Sequence, residues 1–141
     1  MDKNKTPGIS IESVHLLSSC VNVRGNKDDL EFGLAVTSIN RKVVSDEELR
    51  VVVAFDLMDG VEDPAFSFTA TYGICYKRPV DANMTWEEFG NGFVLTHVLP
   101  YFREFASSVT LRLPVPALII PPTNVKALLL DYENREVNPD N

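Results

Sequence analysis

Apolar and polar residues alternate along the first half of the chain with the period of strands, and the second half shifts to the period of helices. Between Ile9 and Val23 the alternation changes phase: Ile9 and Ile11 stand in one register, Val14 and Leu16 in the other, and Val21 and Val23 return to the first. A strand containing a bulge or bend fits that pattern. The turn-type cluster RGNKDD, Arg24 to Asp29, follows, and then Leu30, Phe32, Leu34 and Val36 alternate with Glu31, Gly33, Ala35 and Thr37. This second strand is expected to stop near NRKVVSDEE. In the third, Leu49, Val51, Val53, Phe55 and Leu57 share a face, and beyond the Asp-Gly and Pro signals of MDGVEDP the fourth presents Phe66, Phe68, Ala70, Tyr72, Ile74 and Tyr76 together.

Short polar connections between four consecutive strands point to an antiparallel sheet, because parallel neighbours need crossovers of a dozen or more residues. One face is apolar. The other carries Ser, Thr, Ala, Val and charges, suited to water or to a second copy of the sheet. Thr85 followed by Glu88 is a capping-box signature for a short turn over Trp86 to Phe89, and Gly90 and Gly92 close it. From Phe93 the period is helical through Val94, Val98, Tyr101, Phe105 and Val109. Pro100 leaves two alternatives: a regular helix starting at Leu99 with the proline in its first turn, or an earlier turn kinked there. Arg112 suits the helix end and Pro114 stops it. The extended VPALIIPP comes next, then Thr123 or Asn124 as cap of a last helix, VKALLLDYENR, and the polar EVNPDN. The expected fold class is α+β, a four-stranded antiparallel sheet followed by a long helix, an extended proline-rich loop and a short C-terminal helix. Residues 1–8 and 134–141 read as polar tails on a single domain, 9–133.

At 141 residues one core is the default. The net charge of -7 argues against nucleic acid, which is bound through clustered Lys and Arg. The apolar runs are too short to span a bilayer, so no membrane insertion is expected. The start MDKNKTPG lacks the apolar centre of a signal peptide, which places the expected location in the cytoplasm. Cys20 and Cys75, on different strands and without CxxC spacing, read as buried free thiols.

Chemistry finds little support. GxSxG, HExxH, P-loop and dinucleotide fingerprints are absent, and no cofactor or metal site is expected. His97 has Tyr101 at i+4 and Glu104 at i+7, a row that offers a relay or, more simply, a packed histidine. His15 lacks Asp, Glu or Cys at ligand spacing. The unusual feature is apolar: Val115, Leu118, Ile119, Ile120, Val125, Leu128, Leu129, Leu130 and Tyr132 crowd between Pro116, Pro121, Pro122 and the C-terminus. Consecutive leucines make the last helix apolar over more than one face, and each fully buried Leu or Ile is worth about 2 kcal/mol. Two coverings are open: core or oligomer burial, or a binding groove.

The residues Pro100, Tyr101, Arg103, Glu104, Arg112, Val115-Pro116, Leu118, Ile120, Pro122, Asn124, Val125, Ala127 and Leu128 stand without gaps in the pattern of one family. Over this stretch the chain resembles the SecB protein-export chaperones, and the four strands match that family in order, with Gly73 at the place of a strand-four glycine. The resemblance implies an ATP-independent holdase, a tetramer built as a dimer of dimers, that wraps unfolded polypeptides such as preproteins in apolar grooves. Carried over by position, the groove is lined by Val115, Leu118, Ile120, Val125, Leu128 and Leu129, with Ile119 and Tyr132 beside it. Val98, Tyr101, Phe105 and Val109 are expected to pack the long helix on the sheet or on a sister subunit. The family's loop between strands one and two is long and carries an aromatic, whereas RGNKDD is short and has none. Its acidic positions for docking the export motor ATPase align with the neutral Ser18, Asn22 and Thr69, and its tail is shortened. The resemblance therefore implies client binding, as a general holdase or as the dedicated chaperone of one partner such as an antitoxin, and gives no residues for the motor.

Overall fold

The computed structural model describes residues 8–23, 32–59, 66–113 and 124–137. Four strands, β1 (Ser10–Val23), β2 (Phe32–Ser45), β3 (Glu48–Asp59) and β4 (Phe66–Lys77), are followed by helices α1 (Asn91–Thr110) and α2 (Val125–Val137). This is the α+β arrangement that the periodicity predicts. All pairings are antiparallel, in the order β1-β4-β3-β2.

The strict alternation of β3 and β4 has a direct outcome. Leu49, Val51, Val53, Phe55, Phe66, Phe68 and Tyr76 are fully buried or within 1% of it, and all face the helices. Phe55 stacks on Phe102 of α1 with centroids 4.8 Å apart, and Phe105 meets Phe68 edge-on at 5.5 Å. The core therefore lies between the two central strands and α1.

Sequential strands do not all pair. β1 joins β4 at one margin, and β2 lies at the other, so β1 and β2 are separated by the two central strands rather than forming a hairpin across RGNKDD. The turn-like composition of that stretch carried no information about which strand β1 would meet. β1 bulges twice, with Glu12 and Leu17 as the extra residues, as its phase changes suggest. β2 also bulges, at Thr37, which moves its inward face from even to odd positions: Val36 and Ile39 are both buried. β2 runs to Ser45, within the NRKVVSDEE stretch where its end is expected.

The segment after β4 is sewn onto the β2–β3 turn. Trp86 donates its indole N–H to the Ser45 carbonyl at 3.0 Å, the Arg78 guanidinium covers the Trp86 ring at 5.4 Å, and Arg41 donates to the Trp86 carbonyl at 2.7 Å. The capping box is present: Glu88 N–H donates to Thr85 Oγ1 and Thr85 N–H to Glu88 Oε1, both at 3.2 Å. α1 begins at Asn91 and runs through Pro100, so of the two alternatives at the proline the helix takes the one with earlier turns rather than a start at Leu99. Pro100 sits in the helix interior on its exposed side. The buried stripe of α1 is Val94, Leu95, Val98, Leu99, Phe102, Ala106 and Thr110. Of the expected packing residues, Val98 is in it, Phe105 and Val109 flank it, and Tyr101 is 48% exposed. No helix among the described residues is long and apolar enough to cross a membrane.

α2 is capped by Asn124, whose Oδ1 accepts the Ala127 N–H at 3.2 Å. It continues to Val137, past the expected end at Arg135. Tyr132 Oη accepts the Ile39 N–H at 3.2 Å, and Arg135 Nη2 donates to the Val36 carbonyl at 2.5 Å. Both backbone groups belong to the margin of β2 around its bulge, so α2 satisfies donors and acceptors that an edge strand otherwise leaves open.

Candidate functional site

Between the first turns of α1 and of α2 lies a cleft of about 460 Å³, walled by Phe93, Val125 and Leu129 with Gly90 and Gly92 on its floor. Phe93 is 38% exposed, yet it is not loose: its ring stacks on Phe89 at 5.2 Å and 7°, and Phe89 is buried against Tyr76 and Trp86. An aromatic plate rooted in the core is thus presented to the cleft. Gly92 keeps the floor low, since a β-carbon there would lie 4.0 Å from Leu129 Cδ2.

Two polar groups at the rim have partners of their own. The Thr96 hydroxyl donates to its own helix at the Gly92 carbonyl, 2.8 Å away, and the Glu88 carboxylate is held by Thr85. What remains is the exposed Lys126 and a wall of apolar side chains. Such a surface binds apolar side chains by removing them from water and reads little else.

The residues expected to form a groove divide into three sets. Val125 and Leu129 line the cleft. Leu128 and Tyr132 do not: Leu128 is 8% exposed and belongs to the core, and Tyr132 packs against the core with its hydroxyl bonded to β2. Val115, Leu118, Ile119 and Ile120 lie outside the described residues. Phe93 and the two glycines were missed as site residues by sequence reasoning; Phe89 lies in the turn before α1, so no helical spacing links the two rings.

The candidate chemical residues are placed elsewhere. His97 Nδ1 is 3.3 Å from Tyr76 Oη, its ring lies beside Phe89 and Tyr76, and burial pulls its pKa below the ordinary 6.5. That is a packed histidine. His15 is exposed on the opposite face of the sheet, and so is Cys20, which together with the partly buried Cys75 is a free thiol; Cys20 is thus not buried as expected. Glu12, Glu48 and Cys75 bring donor atoms within 4.8 Å of one another there. Lys77 bonds Glu48 and lies 3.7 Å from Glu12, and Arg50 reaches Glu48 at 2.8 Å, so side-chain cations already balance both carboxylates. Burial, then the Glu12 hydrogen bond, pushes the Cys75 thiol pKa up, away from reactivity.

A second, smaller cavity of about 290 Å³ separates β1 from α1 and is walled by Val14, Leu16, Tyr72, Tyr101 and Phe105. Leu16 is 43% exposed beside the 48% of Tyr101. From Ser18 to Val23 the outer margin of β1 is regular, uncharged and unpaired among the described residues.

No protein-family model and no curated protein matches the sequence. Among solved structures the fold is similar to that of the Mycobacterium tuberculosis SecB-like chaperone Rv1957, solved in complex with a ChAD peptide from the HigA1 antitoxin. The TM-score is 0.68 at 18% identity, over 82% of this chain and 91% of that one. A protein of unknown function from Streptococcus agalactiae matches at a TM-score of 0.41 and 13% identity, over 81% of this chain and 97% of that one. The fold is therefore SecB-like.

Proposed function

We propose that this chain, a SecB-like fold with an apolar cleft between its helices, is an ATP-independent chaperone that holds non-native polypeptides in the cytoplasm and is not an enzyme. The observation that carries the reading is the cleft of Phe93, Val125 and Leu129, which offers apolar area on a core-anchored aromatic. Val115, Leu118, Ile119 and Ile120, just before α2 in the sequence, would lengthen it into a groove. Binding without sequence readout is weak at each site and gains strength when several sites hold one chain.

Several sites require several subunits. The uncharged margin of β1 and the apolar strip of Leu16 and Tyr101 next to it suit pairing with a second copy, and two such pairs would make the tetramer that the sequence resemblance implies. The neutral Ser18, Asn22 and Thr69 give no acidic contact for an export motor. Service to general export and service to one dedicated partner both use the same cleft. The dedicated role is favoured by one observation, that the solved structure with this fold holds a peptide from an antitoxin.

The test is suppression of aggregation of a chemically denatured client by light scattering. Val125→Ser with Leu129→Ser, two positions at the cleft wall rather than in the core, should abolish it. Full suppression by the folded double variant would remove the cleft from the mechanism. A pull-down from source-cell extract then separates the two roles: one stoichiometric partner or a spread of nascent chains.

A further inference from the structure

The cleft does not end at Gly90. That residue also lines a neighbouring cavity of about 380 Å³, whose other walls include Arg41, Val43, Trp86 and Asn91. The two compartments differ in chemistry. The first is mostly apolar, with the exposed Lys126 on its wall, and the second contains a half-buried cation, Arg41.

Arg41 is held by neutral groups alone. Its Nη1 donates to Asn91 Oδ1 at 3.0 Å and its Nη2 to the Trp86 carbonyl at 2.7 Å, both neutral acceptors. Among the described residues it forms no ion pair, in a chain of net charge -7 where Arg50 and Arg135 each hold a carboxylate; Arg78 and Arg112 also bond neutral oxygens, but neither lines this cavity. A guanidinium has five N–H donors in a planar fork, and two neutral hydrogen bonds leave both charge and donors unspent. The exposed Glu87 is the one acidic residue on the wall of this cavity, and it makes no bond to Arg41.

We propose that a polypeptide held in the apolar cleft continues past Gly90 and places an Asp or Glu side chain on Arg41. The inference rests on the polypeptide-binding reading above and narrows it, from any apolar segment to one with an acidic residue close to its apolar anchor. Charge complementarity selects the occupant: the site offers an uncompensated guanidinium beside an apolar trap, and a carboxylate is the group that accepts two of its hydrogen bonds at once. A basic residue at the same place would meet Arg41 and lose affinity.

The probe is fluorescence anisotropy with short labelled peptides, acetylated and amidated at their ends, carrying one leucine-rich anchor. A single Asp, Asn or Lys is walked through the flanking positions. At one flank the Asp peptide should bind about tenfold tighter than the Asn peptide, the size expected of a partly buried charged hydrogen bond, and the Lys peptide more weakly than either. Leaving the C-terminal carboxylate free distinguishes a chain end from a side chain as the source, and a gain only with the free end would overturn the assignment to Asp or Glu. In Arg41→Gln the difference between Asp and Asn should vanish while the Asn peptide binds as before. Equal binding of Asp and Asn at every position, with the anchor still bound, sinks this inference and leaves the chaperone reading standing. Failure of every peptide to bind sinks that reading and this one with it. Because the comparison among peptides is made on the unaltered protein, it decides the matter even if Arg41→Gln does not fold.

Discussion

The Tyr132 hydroxyl accepts the backbone N–H of Ile39 at 3.2 Å, joining the middle of α2 to the margin of β2 two residues beyond its bulge. Removing the oxygen leaves that amide without its partner in a part-buried place. Tyr132→Phe should lower the unfolding free energy by about 1 kcal/mol, measured by urea denaturation, with the slope unchanged. Client affinity of the folded variant should stay as it was, since the hydroxyl faces the sheet.

Gly92 permits a cleaner separation of binding from stability. It lies in the first turn of α1 on the cleft floor, and a larger residue there fills space rather than colliding with backbone. In Gly92→Leu helix propensity rises by up to ~1 kcal/mol while the cleft is plugged. Thermal unfolding should be unchanged or higher and aggregation suppression lost; retained suppression would place the client elsewhere.

Phe93 and Leu128 should behave oppositely. Truncation of Phe93, which is 38% exposed, removes an interface aromatic, and Phe93→Ala should weaken peptide binding by about 1–2 kcal/mol with a smaller effect on folding. Leu128→Ala empties a buried position and should cost about 2–4 kcal/mol of stability. Calorimetry of unfolding and peptide titration on both variants give the four numbers needed.

His97 sets a pH dependence. Burial lowers its pKa in the folded chain below the ordinary 6.5, so the unfolded chain takes up the proton first as pH falls. The full contribution is present above that ordinary value and declines as the pH drops from 6.5 through the folded pKa. Glu48 adds a loss at lower pH, because its hydrogen bond to Lys77 holds its pKa below the usual carboxylate range. Melting temperature followed from neutral pH into mild acid should fall, and His97→Gln should flatten the first part of that fall.

Gly73 carries no positive-φ requirement, and a β-carbon there would meet Leu17 Cδ1 at 3.1 Å. Leu17 is the extra residue of a bulge and 56% exposed, so its tip can move aside. Gly73→Ala is expected to change stability by no more than about 0.5 kcal/mol in equilibrium denaturation.

Legibility in the sequence followed how local the cause was. β3 and β4 alternate without interruption because both are central, and every inward residue could be named from the pattern. The bulge at Thr37 hid the second half of β2, since a single inserted residue reverses the parity on which the reading depends. The pairing of β1 with β4 rather than β2 is a long-range choice that no local period encodes. Pro100 left the start of α1 open between two alternatives, because the contacts around Asn91, the bonds of Arg41 to Asn91 and to the Trp86 carbonyl, are remote in sequence. In the cleft, Val125 and Leu129 were readable as apolar excess. Arg41 was not, because its isolation from any carboxylate exists only in three dimensions.

The two margins of the sheet are unlike, and this limits what can be built from it. β2 is closed by a bulge, by Tyr132 and Arg135 from α2, and by the charges of Arg41 and Lys42, whereas β1 offers Ser18 to Val23 bare. A tile with one adhesive side and one blank side joins a second tile along that side and offers no further edge for the sheet to grow from. Edge-to-edge pairing of this sheet therefore stops at two copies, and any larger assembly must use another face of the molecule.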